Sequence, residues 1–384
     1  MDEGQLPLPL EPRSADGDVL LAVARVLLQA GRFDPELAAR VFVGLVGPAV
    51  RHIRALNLVS EDLAVDFYPN GDLPKRIQRS SAYKAAVNEI RKGRPAAAAI
   101  ASPKELARKR TAAPKWACII NRAYVPGVHW GLFAAYHELG HVLYYSFAEM
   151  LGRIDTGLDL FFRHAGSGCG TGVGRSEWNY HSAQMLNLER DCDRFAGAAL
   201  LPMDVVLSAV ESSGISNLRG LLDWASFQAI AFRLAELAEV PILAGTWSTR
   251  GRSGGVAFAG RQGRLFSAGC FTRPLGDFSR RVHRDGCETA ATPLVNIVIE
   301  AATERWPCAA RFESSGGEAL VLAVPFADAS ARDGTRGGEV AVYALDSASL
   351  GSAAAWLGET WREARLYGIT RFEEWEDPGS QWPG

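Results

Sequence analysis

Residues 134 to 145 read AAYHELGHVLYY. Two histidines, His137 and His141, stand four apart, and Glu138 follows the first. The surrounding run FAAYHELGHVLYY is apolar almost all round, which predicts a helix buried on most sides rather than one with a wet face. Two imidazoles and a carboxylate on a buried helix need partners. Residues four apart face the same way on an α-helix, so both imidazoles can reach one metal ion. Glu138, one residue on, is poorly placed to ligate that ion but can reach a water beside it. This is the pattern of a zinc hydrolase, in which the ion acidifies a water and the carboxylate takes its proton.

Two imidazoles leave such a site one ligand short, because a catalytic zinc takes three protein ligands and keeps a fourth position open. The downstream candidates are Asp155, Asp159, His164, Glu177, His181, Glu189, Asp191 and Asp193. A second buried helix packing beside the first is the natural source. In LERDCDRFAGAALLP (188 to 202), Glu189, Cys192, Asp193, Ala196 and Ala199 share one face at three- and four-residue steps. The small residues on that face permit close approach of two helices, with the Glu189 carboxylate aimed between them. His181 is the runner-up, since imidazole is a good zinc ligand.

HELGH followed by ERDCDRFAGAALLP resembles the ImmA/IrrE family of metallopeptidases. Their pattern is HExxH and then a helix reading roughly E-x-x-A-[ND]-x-F-A-x-x-L-L-x-P. Glu189, Asp193, Phe195, Ala196, Leu200 and Pro202 match it in register, with Ala199 at the first leucine position and Leu201 following the second. Cys192 stands where alanine is usual, and both are small residues often found buried. The resemblance covers about residues 110 to 240. It implies one Zn2+ per chain held by His137, His141 and Glu189, with Glu138 as the catalytic base. Asp193, one turn after Glu189, is a candidate partner for the second nitrogen of a ligating histidine.

The resemblance also implies an α+β fold whose first domain is a mainly helical, zincin-like peptidase. The strand KWACIINRAY (115 to 124) would be the edge strand on which a peptide lies extended. Residues 215 to 240 resemble the helix-turn-helix-like part that often follows. Family members typically cleave a DNA-binding repressor, often of the Xre type, and so switch on stress-response or mobile-element genes. Some carry a GAF-like sensor domain at the C-terminus. The interval from His141 to Glu189 is longer than the family usually has and contains the Gly-rich loop 164 to 177. His164 and His181 flank that loop and are candidates for steadying an oxyanion.

The rest of the chain sets the frame. Of 384 residues, 48% are hydrophobic and 22% charged, the balance of a soluble globular protein. The formal net charge of -2 draws the chain neither to nucleic acid nor to membrane. Locally the balance differs: twelve Lys/Arg face two Glu between Lys75 and Lys115. Contact with DNA or an acidic partner is one reading of that stretch; a solvated face or linker is the favoured one. The N-terminus, MDEGQLPLPLEPRSADGD, has no basic region followed by an apolar one, so no signal peptide is expected. Six cysteines are spread singly, without a CxxC pair, which fits a reduced, cytoplasmic protein.

The expected organisation is an N-terminal helical region (1–68), a basic, partly flexible segment (69–114), the peptidase core (115–214), the helix-turn-helix-like segment (215–240) and an α+β domain (241–384). In that last part GGVAFAG, RLFSAGCF, ALVLAVPFA and EVAVYAL read as strands and PLVNIVIEAATERW as a helix. Two other functions share these residues. One is a regulatory or binding protein whose metal site is structural or vestigial. The other is a peptidase toxin with a different protein substrate.

Overall fold

The computed structural model describes residues 18–60, 63–69, 73, 75–79, 81–91, 97–101, 116–121, 128–150, 178–250, 255–258, 266–269, 272–284, 293–314, 316–326 and 339–371. The chain is α+β and divides into two compact units, Met1–Pro202 and Met203–Gly384. Among the described residues no single helix is long and apolar enough to cross a membrane.

The first unit begins with α1 (Val19–Ala30) and α2 (Pro35–Val46), followed by two short 3-10 turns. Asp18 caps α1: one carboxylate oxygen accepts the Leu21 N–H at 3.1 Å and the other the Ser60 hydroxyl at 2.6 Å. Asp34 caps α2 by accepting from Glu36 and Leu37, with Pro35 preset for the first turn. Then come β1 (Leu63–Tyr68), α3 (Lys75–Gln78), α4 (Ser81–Arg91), β2 (Ala97–Ala101), β3 (Trp116–Asn121), α5 (Val128–Met150) and α6 (Trp178–Leu200).

Helix α5, which carries HELGH, is enclosed as its composition predicts. Helices α1 and α6 and strands β2 and β3 all pack on it. Leu132, Ala135, Tyr136, Leu139, Val142 and Leu143 are buried. Phe42 of α2 sets its ring against Tyr136 of α5 and Phe195 of α6, with both centroid separations 5.8 Å. The N-terminal helices therefore form a wall of the same unit rather than a separate region.

Strands β1, β3 and β2 form one sheet in that order, β1 parallel and β2 antiparallel to β3. This corrects the expectation that 115–124 is an edge strand: β3 is central, and β1 and β2 are the edges. The residues of β3 alternate between two helical layers. Trp116 stacks on Tyr145 of α5 at 6.2 Å, whereas Ala117 and Ile119 join Ile77, Ala86 and Ile90 of α3 and α4. The basic segment is thus partly built into the fold through α3, α4 and β2.

The second unit opens with α7 (Met203–Ser213), α8 (Leu218–Leu221) and α9 (Phe227–Glu236). It continues with β4 (Ile242–Arg250), β5 (Gly255–Phe258), β6 (Phe266–Ala268), α10 (Arg273–Arg284), α11 (Pro293–Glu304), β7 (Cys308–Ser314), β8 (Gly317–Phe326), β9 (Glu339–Asp346), α12 (Ala355–Glu363) and β10 (Arg365–Arg371). Its sheet runs β10-β7-β8-β9-β4-β5, with β6 also on β4. Helices α10 and α11 cover one face, placing Leu275, Phe278, Ile297 and Val298 on Trp247, Phe312 and Val321.

The contact boundary falls after Pro202, so the segment 215–240 belongs with this sheet and not with the unit that carries HELGH. Helix α9 packs on β4 and β9, and the Tyr343 hydroxyl of β9 donates to the Ala231 carbonyl at 3.2 Å. No residue of α9 is fully exposed, so this helix is not offered to a DNA groove as a recognition helix would be.

Candidate metal centre

The site is made where α5 and α6 touch. Gly140, inside HELGH, faces Cys192 of α6. A Cβ placed on Gly140 would lie 3.1 Å from the Cys192 Cα and 3.3 Å from its Sγ. Only hydrogen at position 140 and a small residue at 192 allow so close a crossing. Cys192 is fully buried. Burial, then the nearby Glu189 and Glu138 carboxylates, hold its thiol pKa well above the ordinary value. It acts as a packed small residue, not as a thiolate.

One turn to either side of this contact, three donor groups converge. His137 Nε2 lies 3.1 Å from His141 Nε2 and 3.1 Å from Glu189 Oε2, and His141 Nε2 lies 3.3 Å from Glu189 Oε1. One ligand atom from each residue falls within 4.8 Å of every other. Zinc ligands about 2.0–2.1 Å from a tetrahedral ion stand about 3.3 Å from one another. The spacing and the donor set, two imidazoles and a carboxylate, therefore fit that ion. Three buried or half-buried polar groups turned inward on one point need a shared proton or cation between them.

The other nitrogen of His137 is also accounted for. Nδ1–H donates to Asp193 Oδ1 at 2.7 Å. That bond fixes the tautomer, leaving the Nε2 lone pair directed at the cluster. Burial opposes the charged imidazole, but hydrogen bonds to Asp193 and Glu189 outweigh it and raise the His137 pKa well above its ordinary value. Burial likewise raises the Glu189 pKa, and its bonds to the two histidines reverse the sign, leaving the carboxyl below its usual range. Each partner stabilises the charged form of the other while a proton sits between them.

Glu138 is half-buried and is not part of the converging triad. Its charge reaches β3, where burial first and Glu138 second raise the Cys118 thiol pKa. The remaining candidates are settled differently. His164 and the loop 164–177 lie outside the described residues, as do Asp155, Asp159 and Glu177. His181 is on α6, about 12 Å along the axis from Glu189, and its side chain lies outside the described residues. Gly140 is the further signal that the sequence offers, since a glycine in the middle of a buried helix marks a close approach.

Two variants follow from this geometry. Gly140→Ala gains helix propensity but drives a methyl into α6, with a net loss of about 1–3 kcal/mol from overpacking and weaker metal binding; thermal unfolding with and without added zinc reads both. Asp193→Asn keeps the fold and lowers zinc affinity about 10–100-fold, because His137 loses its charged support; competition with a fluorescent chelator measures it.

No family model and no curated protein matches the chain. Among solved structures it is similar to a Mycobacterium tuberculosis transcriptional regulator at 15% identity, over 91% of this chain and 83% of that one. The TM-score is 0.37, too low to establish a shared fold.

Proposed function

We propose that the chain is a zinc-dependent endopeptidase of the ImmA/IrrE type. The observation that carries the reading is the convergence of His137, His141 and Glu189 beside Glu138, on two helices held together by Gly140 and Cys192. The second unit is proposed to be a GAF-like sensor domain, on the sheet and covering helices alone.

His137, His141 and Glu189 would hold the ion, and Asp193 would orient His137. Zinc in this position supplies Lewis acidity to a water and to the scissile carbonyl. Glu138 takes the proton of the attacking water and returns it to the departing amine, which is general acid–base work for one carboxylate. Among the described residues β2 pairs on one side only, with β3, and it packs against α5. Its free edge suits an extended peptide, whose main chain would complete the sheet beside the metal helix.

The substrate proposed is a DNA-binding repressor, most simply of the Xre type, whose cleavage induces a stress or mobile-element response; a cytoplasmic site of action goes with that substrate. Incubating the zinc-loaded protein with the repressor encoded beside it, and mapping products by mass spectrometry, tests this. A single defined cut that disappears with chelator supports it. An intact repressor alongside cleavage of another protein points to a toxin-like peptidase.

A further inference from the structure

On the face of the first sheet opposite α5, the chain forms a cavity of about 640 Å³. It lies between the end of β1 and helix α4. Tyr68, Gln78, Tyr83, Lys84, Asn88 and Arg91 supply its polar lining. Lys84, Asn88 and Arg91 recur at four- and three-residue steps, so they stand on one stripe of α4. Among the described residues two cations line the cavity and no carboxylate does. Asp66 of β1 is fully buried and accepts from the Tyr83 hydroxyl at 3.1 Å.

Arg91 is held in position before any ligand arrives. Its Nε donates to the Tyr68 hydroxyl, and its guanidinium lies over the Tyr68 ring, 5.5 Å from the centroid. That arrangement uses one edge of the fork and leaves the terminal amino groups without a partner among the described residues. A planar, preoriented guanidinium with a lysine two turns away on the same stripe suits a phosphate, which takes paired donors and two charges. The tyrosines and the buried Val87 side chain give an apolar wall for a ring. The volume falls within the range of small-molecule sites.

We infer that this cavity binds an organic phosphate of nucleotide size. The site is independent of the metal centre, because β3 sends Ala117 and Ile119 to this face and Trp116 to the α5 face. Any effect of such a ligand on the metal centre has to pass through the sheet.

Titration calorimetry of the full chain with ADP, inorganic pyrophosphate and adenosine tests the inference. ADP is expected to bind, pyrophosphate more weakly, and adenosine least. Arg91→Ala and Lys84→Ala, both at exposed positions, should each lower ADP affinity at least about tenfold, with unchanged thermal unfolding. Tyr68→Phe should lower it a few-fold by releasing the guanidinium, and Glu189→Ala should leave it unchanged. The inference is overturned if ADP fails to bind at millimolar concentration, or if Arg91→Ala and Lys84→Ala bind it as tightly as the parent. Loss of ADP binding in Glu189→Ala overturns it too, by moving the ligand to the metal centre. Binding of hexaglutamate in place of ADP overturns it in favour of an acidic protein partner.

Discussion

Glu138→Gln is expected to leave zinc bound and to reduce peptide cleavage by about 100- to 10,000-fold, the usual worth of a general base. Glutamine matches the size of glutamate, and residue 138 is outside the triad that converges on the ion. The substitution therefore removes the proton acceptor and little else. His137 keeps its bond to Asp193, and the Gly140–Cys192 contact is untouched. The readouts are metal content by mass spectrometry and single-turnover cleavage of the repressor. Equal zinc with cleavage lost is the expected pair. Cleavage at the parental rate would remove Glu138 from the mechanism.

Glu189→Ala is expected to act on the fold as well as on the chemistry. Its two oxygens meet different histidines, at 3.1 and 3.3 Å. Removing them leaves the Nε2 atoms of two imidazoles without the carboxylate they share, while Asp193 stays on His137 Nδ1. A metal that binds only the folded chain stabilises it by about 4 kcal/mol when present at a thousand times its dissociation constant. For a unit of roughly 200 residues that is about 8–16 °C in melting temperature. Chelator should lower the parental melting temperature by that amount and leave the Glu189→Ala protein unchanged. A parental protein indifferent to chelator would favour a vestigial site.

The convergence of His137, His141 and Glu189 was legible in the sequence because both helices read as buried. An apolar-all-round α5 with polar residues four apart, and an α6 face of small residues around Glu189, leave few ways to pack. The strands of the C-terminal sheet at 255–258, 317–326 and 339–346 were legible from β-branched and alternating runs between glycines. Strand β1 was not, because Asp66 sits buried within it and masks the alternation. Strand β2 was not, because AAAAIA has helical propensity and becomes a strand only by pairing with β3. The edge role for β3 came from the family resemblance, and without β1 and β2 nothing in the sequence opposed it. The boundary after Pro202 was hidden for a related reason: helices 203–236 resemble a continuation of the helical region, and only the sheet they pack on places them.

The central claim is that two imidazoles and one carboxylate hold a zinc ion beside Glu138. X-ray absorption at the zinc edge of the purified, zinc-loaded protein tests it most directly. The account predicts about one zinc per chain, with only nitrogen and oxygen neighbours at about 2.0–2.2 Å, two of them imidazoles, and an open-site oxygen besides Glu189. Sulfur scattering at about 2.3 Å would instead place the ion on a cysteine such as Cys192, and that result, or a protein that takes up no zinc, would contradict the account.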